Sequence, residues 1–256
     1  MTDWNAQHYL KFGDERTRAA IDLLARINLS SPRRIVDLGC GPGNSTELLW
    51  QRWPEADVYG LDSSVEMIAA AKERHPDRSW QLADLEQWSP DEPVDLAFSN
   101  AAIQWTSDHG ALMKRLIAGT ADGGALAFQI PSGSFAEVRK LIHEISREER
   151  WNDRMESARQ ELKMELPEFY YDALASEASI LDVWESEYHH VMNSTDAIVD
   201  WISSTGLRPF IGALGIESEQ TEFVEELKRR VAQAYEIRAN GKVLFPFRRT
   251  FVIAYR

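Results

Sequence analysis

The 256-residue chain has one cysteine, Cys40. A lone thiol excludes an intramolecular disulfide, and nothing else points to an oxidising compartment. Basic residues are also scarce: 28 Lys and Arg stand against 41 Asp and Glu, a formal charge of -13 at pH 7. A field of that sign repels nucleic-acid phosphates and anionic lipid headgroups, so neither nucleic acid nor a membrane surface is expected as a partner. It also disfavours small anions, which would need a local cluster of Arg, His or hydroxyl groups for capture. No apolar run approaches the ~20 residues of a membrane span, and the first residues lack the basic and apolar regions of a signal peptide, so the expected location is the cytoplasm. No group of His, Cys and Asp has metal-ligand spacing, and no metal is expected. There is no internal repeat, and nothing assigns an oligomeric state. What is present, 44% hydrophobic and 27% charged residues, is the composition of a folded chain with one sizeable core.

Up to residue 131, short apolar runs alternate with helical stretches. Strands are expected at 35–39, 58–62, 79–85, 94–101 and 124–130, with helices at about 44–53, 63–75 (Ser63 or Ser64 as N-cap) and 108–118. Five strands with helical crossovers imply an α/β fold on a parallel sheet. Beyond Pro131, 181–192 and 248–256 read as sixth and seventh strands. The helical material at 134–180 and 193–241 is expected as cap insertions around them, all within one domain spanning 1–256 whose ligand-binding half covers about 30–131.

The sharpest signal is Val36-Asp37-Leu38-Gly39-Cys40-Gly41-Pro42-Gly43-Asn44, between the first strand and its helix. Glycines at 39, 41 and 43 permit a tight turn and close approach of a bulky ligand. The spacing is GxGxG and not the GxGxxG of nicotinamide folds, and Pro42 removes an amide that a pyrophosphate would use. Asp62 ends the second strand, where Rossmann-type sheets place the acid that holds ribose hydroxyls. Its alternative role is to cap the following helix.

These residues resemble the class I S-adenosylmethionine-dependent methyltransferases over about 33–131. The resemblance implies a Rossmann-like seven-stranded sheet with helical cap insertions, and S-adenosylmethionine as cofactor. By the same resemblance Asp37 lies near the methionine portion and Asp62 at the ribose. Asp84, followed by Leu85, holds the adenine, Ser63 and Met67 pack around ribose and adenine, and Asn100 with Ala101 faces the methyl donor. Met67 reads equally well as core filler.

Segments 3–24, 99–109, 201–210 and 245–254 are similar to a branch of that family that esterifies one carboxylate of a planar tricarboxylic acid. A small anionic polycarboxylate is then the expected acceptor. Such a carboxylate is ionised at neutral pH, so no residue is required as general base. The remaining carboxylates need partners, and Arg249 is the main candidate, with Arg208, His189, Tyr170, Tyr171, Arg248 and His190 behind it. Strand alternation sends Arg248 and Arg249 to opposite faces, and likewise His189 and His190, so at most one of each pair looks into a given pocket. Either histidine alone is more often structural. Trp105, after the fourth strand, and Trp4 with Tyr9 are expected as a hydrophobic lid, although nine tryptophans ensure that some are packing. The competing readings are a methyltransferase for another acceptor, carrier-bound acyl groups included, and a protein that binds the cofactor without transfer.

Overall fold

The computed structural model describes residues 13–132, 137–161 and 163–256. Trp4 and Tyr9 lie outside the described residues.

Seven strands form one sheet: β1 (Arg34–Leu38), β2 (Asp57–Asp62), β3 (Ser79–Leu82), β4 (Val94–Asn100), β5 (Thr120–Pro131), β6 (Ile180–Met192) and β7 (Val243–Tyr255), in the order β3-β2-β1-β4-β5-β7-β6. β1 pairs in parallel with β2 and β4, β2 with β3, and β4 with β5, whereas β7 runs antiparallel to β5. The five parallel strands therefore end on one edge, where open α/β sheets bind ligands. β3 stops at Leu82, three residues short of the expected end, because it is an exposed edge strand with one neighbour.

The helices are α1 (Gly13–Arg26), α2 (Asn44–Arg52), α3 (Val65–Arg74), α4 (His109–Ala118), α5 (Glu137–Ser146), α6 (Glu156–Glu161), α7 (Pro167–Leu174), α8 (Thr195–Ser203), α9 (Arg208–Gly212) and α10 (Glu217–Ala234). α3 begins at the N-cap Ser64, whose Oγ accepts from the amide of Met67 at 3.2 Å, and α4 at Asp108, which accepts from Ala111. Among the described residues no helix is long and apolar enough to cross a membrane.

Successive residues of β1 from Ile35 to Leu38 are buried, so both faces of the sheet are covered there. Val36 and Leu38 point into a cluster with Leu112, Met113, Leu116, Phe128, Tyr170 and Leu174, which draws α4 and α7 onto that face. Ile35 and Asp37 point to the other, where Asp37 meets Ser45 and Thr46 of α2.

The chain divides into two compact units. One holds the described residues to Pro131 with Glu165–Ser186 and Arg249–Arg256, and the other Ser132–Met164 with Glu187–Arg248. Residues 165–180, expected in the cap, thus group with the sheet. Tyr170 and Leu174, one helical turn apart on α7, form a fully buried stripe against the core and account for the difference. Within the second unit, α10 is joined to the 148–154 turn by ion pairs of Arg230 with Glu148, Arg150 with Glu222, and Arg154 with Glu219.

Candidate active site

The turn after β1 is built from three glycines with positive φ, and each is needed for a different reason. A Cβ at Gly39 would run into that of Ala102, and one at Gly43 would stand 2.7 Å from the indole of Trp80. At Gly41, φ is +55° and a Cβ would meet nothing within 4 Å. Gly39 and Gly43 are therefore required by protein packing, while Gly41 leaves open space beside the loop. Arg74 closes the loop from below, donating to the carbonyl of Pro42 at 3.3 Å and to Asn44 Oδ1 at 2.7 Å.

Two carboxylates flank this turn. Asp62, half-buried, accepts from the Gly41 amide through Oδ2 and from the Ser64 amide through Oδ1, both at 2.9 Å. It thereby links the glycine loop to the start of α3, while the N-cap itself is Ser64. Asp37 is fully buried, and its Oδ2 accepts from Ser45 Oγ and Thr46 Oγ1, each at 2.7 Å. Burial raises its pKa to about 6, partly offset by those two hydroxyls, with the Asp62 charge adding to the rise. Its Oδ1 is buried with no hydrogen-bond partner among the described residues. An orphaned anionic oxygen beside an open glycine turn suits the cationic amino group of a bound ligand.

Further along the edge, Ser63 is exposed and Met67 is 3% exposed. Asp84 is exposed, its Oδ1 accepting from the Glu86 amide at 2.9 Å, and Leu85 is buried beside it. β4 ends in Asn100 and then Ala101, whose φ of +58° is a left-handed conformation that costs a non-glycine residue about 1 kcal/mol. Two glutamines hold it: the Gln129 carbonyl accepts from the Ala101 amide at 3.0 Å, and Gln104 Nε2 donates to the Ala101 carbonyl at 2.7 Å. Trp105 is half-buried on the 3-10 turn Ile103–Trp105 that follows.

The register of β7 against β5 sets Arg249 opposite Pro131, at the carboxyl end of β5. Arg249 is 3% exposed, and its Nη1 donates to Gln129 Oε1 at 2.9 Å. Gln129, fully buried, donates in turn from Nε2 to Asn100 Oδ1 at 2.5 Å. Its neighbour Arg248 faces outward and pairs with Glu187 at 3.4 Å. Gln104 and Gln129 were not singled out from the sequence, although a glutamine inside the apolar run of β5 is itself a signal, since a buried amide must find partners.

The other expected substrate residues go elsewhere. Tyr170 is in the core: its hydroxyl lies 2.7 Å from His109 Nδ1, its ring stacks on that histidine and meets Phe128 edge-on, and burial drives its pKa well up. An indispensable packing position explains its burial better than a ligand would. Tyr171 is exposed. His189 is exposed and pairs with Glu187 at 3.3 Å, whereas His190 is buried with its ring stacked on Trp201 at 4.7 Å. The alternation of β6 gives the apolar side to His190. Arg208 is half-buried at the start of α9 in the second unit.

Residues 35–124 match a family model described as a methyltransferase domain. A curated relative named trans-aconitate 2-methyltransferase, from Rhodopseudomonas palustris (strain BisB5), is 44% identical over 257 residues, covering 100% of both chains. One of the same name from Azoarcus sp. (strain BH72) is 44% identical over 256 residues, again with 100% of both covered. Among solved structures, the YcgJ protein of Bacillus subtilis has a TM-score of 0.61 at 14% identity, over 93% of this chain and 99% of that one. Phosphoethanolamine N-methyltransferase 2 of Haemonchus contortus, solved with S-adenosylhomocysteine, has a TM-score of 0.57 at 16% identity, over 93% and 52%.

Proposed function

Because the chain belongs to the trans-aconitate 2-methyltransferase family, we infer that it transfers the methyl group of S-adenosylmethionine to one carboxylate of trans-aconitate, giving a monomethyl ester and S-adenosylhomocysteine. The observation that carries the inference at the site is a buried guanidinium, Arg249, at the same sheet edge as the open glycine turn and the two acids.

The cradle suits the cofactor. The turn at Gly39, Gly41 and Gly43 would take its methionine portion, with Asp37 at the amino group. Asp62 would accept from the ribose hydroxyls, and Ser63, Met67, Asp84 and Leu85 would surround the adenosine. When bound, S-adenosylmethionine supplies a sulfonium-activated methyl group, and Asn100 and Ala101 at the end of β4 would face it.

The protein's task is then placement. A carboxylate with a pKa near 4 is already the nucleophile at neutral pH, so no proton has to be removed. Arg249 fits a second carboxylate of the acceptor, because a guanidinium can grip it with two parallel hydrogen bonds. Trp105 would shield the reacting oxygen from water, which favours a charge-neutralising transfer. A polycarboxylate thus meets a fixed local cation despite the acidic whole, and the charge of -13 argues equally against a nucleic-acid acceptor.

The test is to incubate the purified protein with S-adenosylmethionine and a panel of mono-, di- and tricarboxylates, following S-adenosylhomocysteine and the ester by mass. Turnover of trans-aconitate well above citrate, cis-aconitate and monocarboxylates is the expected result. Cofactor binding with no product from any acid would leave a non-catalytic binder.

A further inference from the structure

Gln129 stands between the acceptor anchor and the end of β4, and no feature of the transfer itself requires it. Its carbonyl accepts from the Ala101 amide at 3.0 Å, its Nε2 donates to Asn100 Oδ1 at 2.5 Å, and its Oε1 accepts from Arg249 Nη1 at 2.9 Å. Both Gln129 and Arg249 are buried, at 0% and 3% exposure. We propose that Gln129 is a positioning residue for the acceptor: it holds the guanidinium of Arg249 in a set orientation, using Asn100 and the strained Ala101 turn as its own fixed support. The proposal rests on the function inferred above.

The physical case is one of amide polarity. The amide of Gln129 accepts from Arg249 with one atom and donates to Asn100 with the other, without adding charge. A carboxylate at that position would pair with the arginine and compete directly with the substrate, so a neutral acceptor restrains the cation without neutralising its charge. A methionine of similar length would fill the space but remove that restraint on the guanidinium. A planar fork that must meet a carboxylate along two parallel bonds loses most from such freedom, because a small rotation breaks one of the two.

The experiment uses the full chain with Gln129→Met and Gln129→Glu, each also placed on Arg249→Ala. Melting temperature, S-adenosylhomocysteine affinity by calorimetry, and KM and kcat for trans-aconitate are measured on every form. Gln129→Met is expected to raise KM by about tenfold, equivalent to one lost hydrogen bond, and Gln129→Glu by more. In both, kcat is expected within about threefold and cofactor affinity within about twofold of wild type, the sign of lost uniform substrate binding. On Arg249→Ala, Gln129→Met should raise KM no further, since the group it orients is gone. Any of the following overturns the proposal: an unchanged KM in a folded variant, a loss shared equally by cofactor affinity, additive effects on Arg249→Ala, or failure of both variants to fold, which would make Gln129 a core hydrogen bond. If the wild-type protein makes no ester from trans-aconitate, the fault lies with the inferred function and not with Gln129.

Discussion

At Gly41 the surroundings are empty and the backbone is left-handed, so a side chain there acts on the ligand before it acts on the fold. Gly41→Val is expected to remove detectable S-adenosylhomocysteine binding by calorimetry and to lower stability by only a few kcal/mol, with Gly41→Ala between it and wild type. Full affinity in a folded Val variant would make the loop purely structural. Asp37 makes a pH prediction. Its folded pKa of about 6 lies above the ordinary 3.8, so between those values the folded protein binds more protons than the unfolded chain. Its contribution to stability is therefore greatest below about pH 4 and is lost as pH rises through 6. Relative to wild type, ligand-free Asp37→Asn should gain on the order of 3 kcal/mol between pH 4 and pH 7, read from urea midpoints, while its cofactor affinity falls. A stability gap that ignores pH would refute the assignment. Arg249→Ala is expected to cost on the order of 2–5 kcal/mol in kcat/KM for trans-aconitate with cofactor affinity kept, and Lys to restore part of it. Equal activity in the two proteins would remove Arg249 from the site.

Among the elements, α7 shows how a segment's burial decides its role. It lies between two stretches of cap helices in sequence, yet Tyr170 carries it into the sheet core, its hydroxyl meeting His109 Nδ1 on α4. Tyr170→Phe should destabilise the protein by about 1–3 kcal/mol, because it removes the hydroxyl that meets a buried histidine nitrogen, and should leave KM for trans-aconitate unaltered. A large KM effect with unchanged melting would return Tyr170 to the substrate pocket. The edge strand β3 and the long antiparallel β7 contribute differently: β3 supplies Trp80 beneath Gly43 and Gly60, whereas β7 delivers one arginine inward and one outward. Strand alternation predicts the opposition of Arg248 and Arg249, but which of the two is inward depends on pairing with β5, 120 residues from Gln129 to Arg249.

For the molecule as a whole, an acidic field must be crossed by an acidic substrate. Raising ionic strength from about 10 to 150 mM shortens the Debye length from ~30 to ~8 Å, which screens that repulsion more than it weakens a buried guanidinium contact. kcat/KM for trans-aconitate is expected to rise by about twofold over that range and to stay flat for a neutral ester analogue. A steep fall would place the captured carboxylates on exposed cations. The sheet, its helices and the glycine loop were legible in the sequence because their signals are local. Strand periodicity, a GxGxG turn and an acid closing the next strand each lie within a few residues of one another, and short-range sterics and hydrogen bonding determine them. The acceptor side was legible only as a set of candidate charges. Asn100, Gln129 and Arg249 come from three strands joined by non-local register, Tyr170 and His189 differ in burial through tertiary packing, and the polarity of a buried amide acquires meaning only from the two partners that folding brings to it.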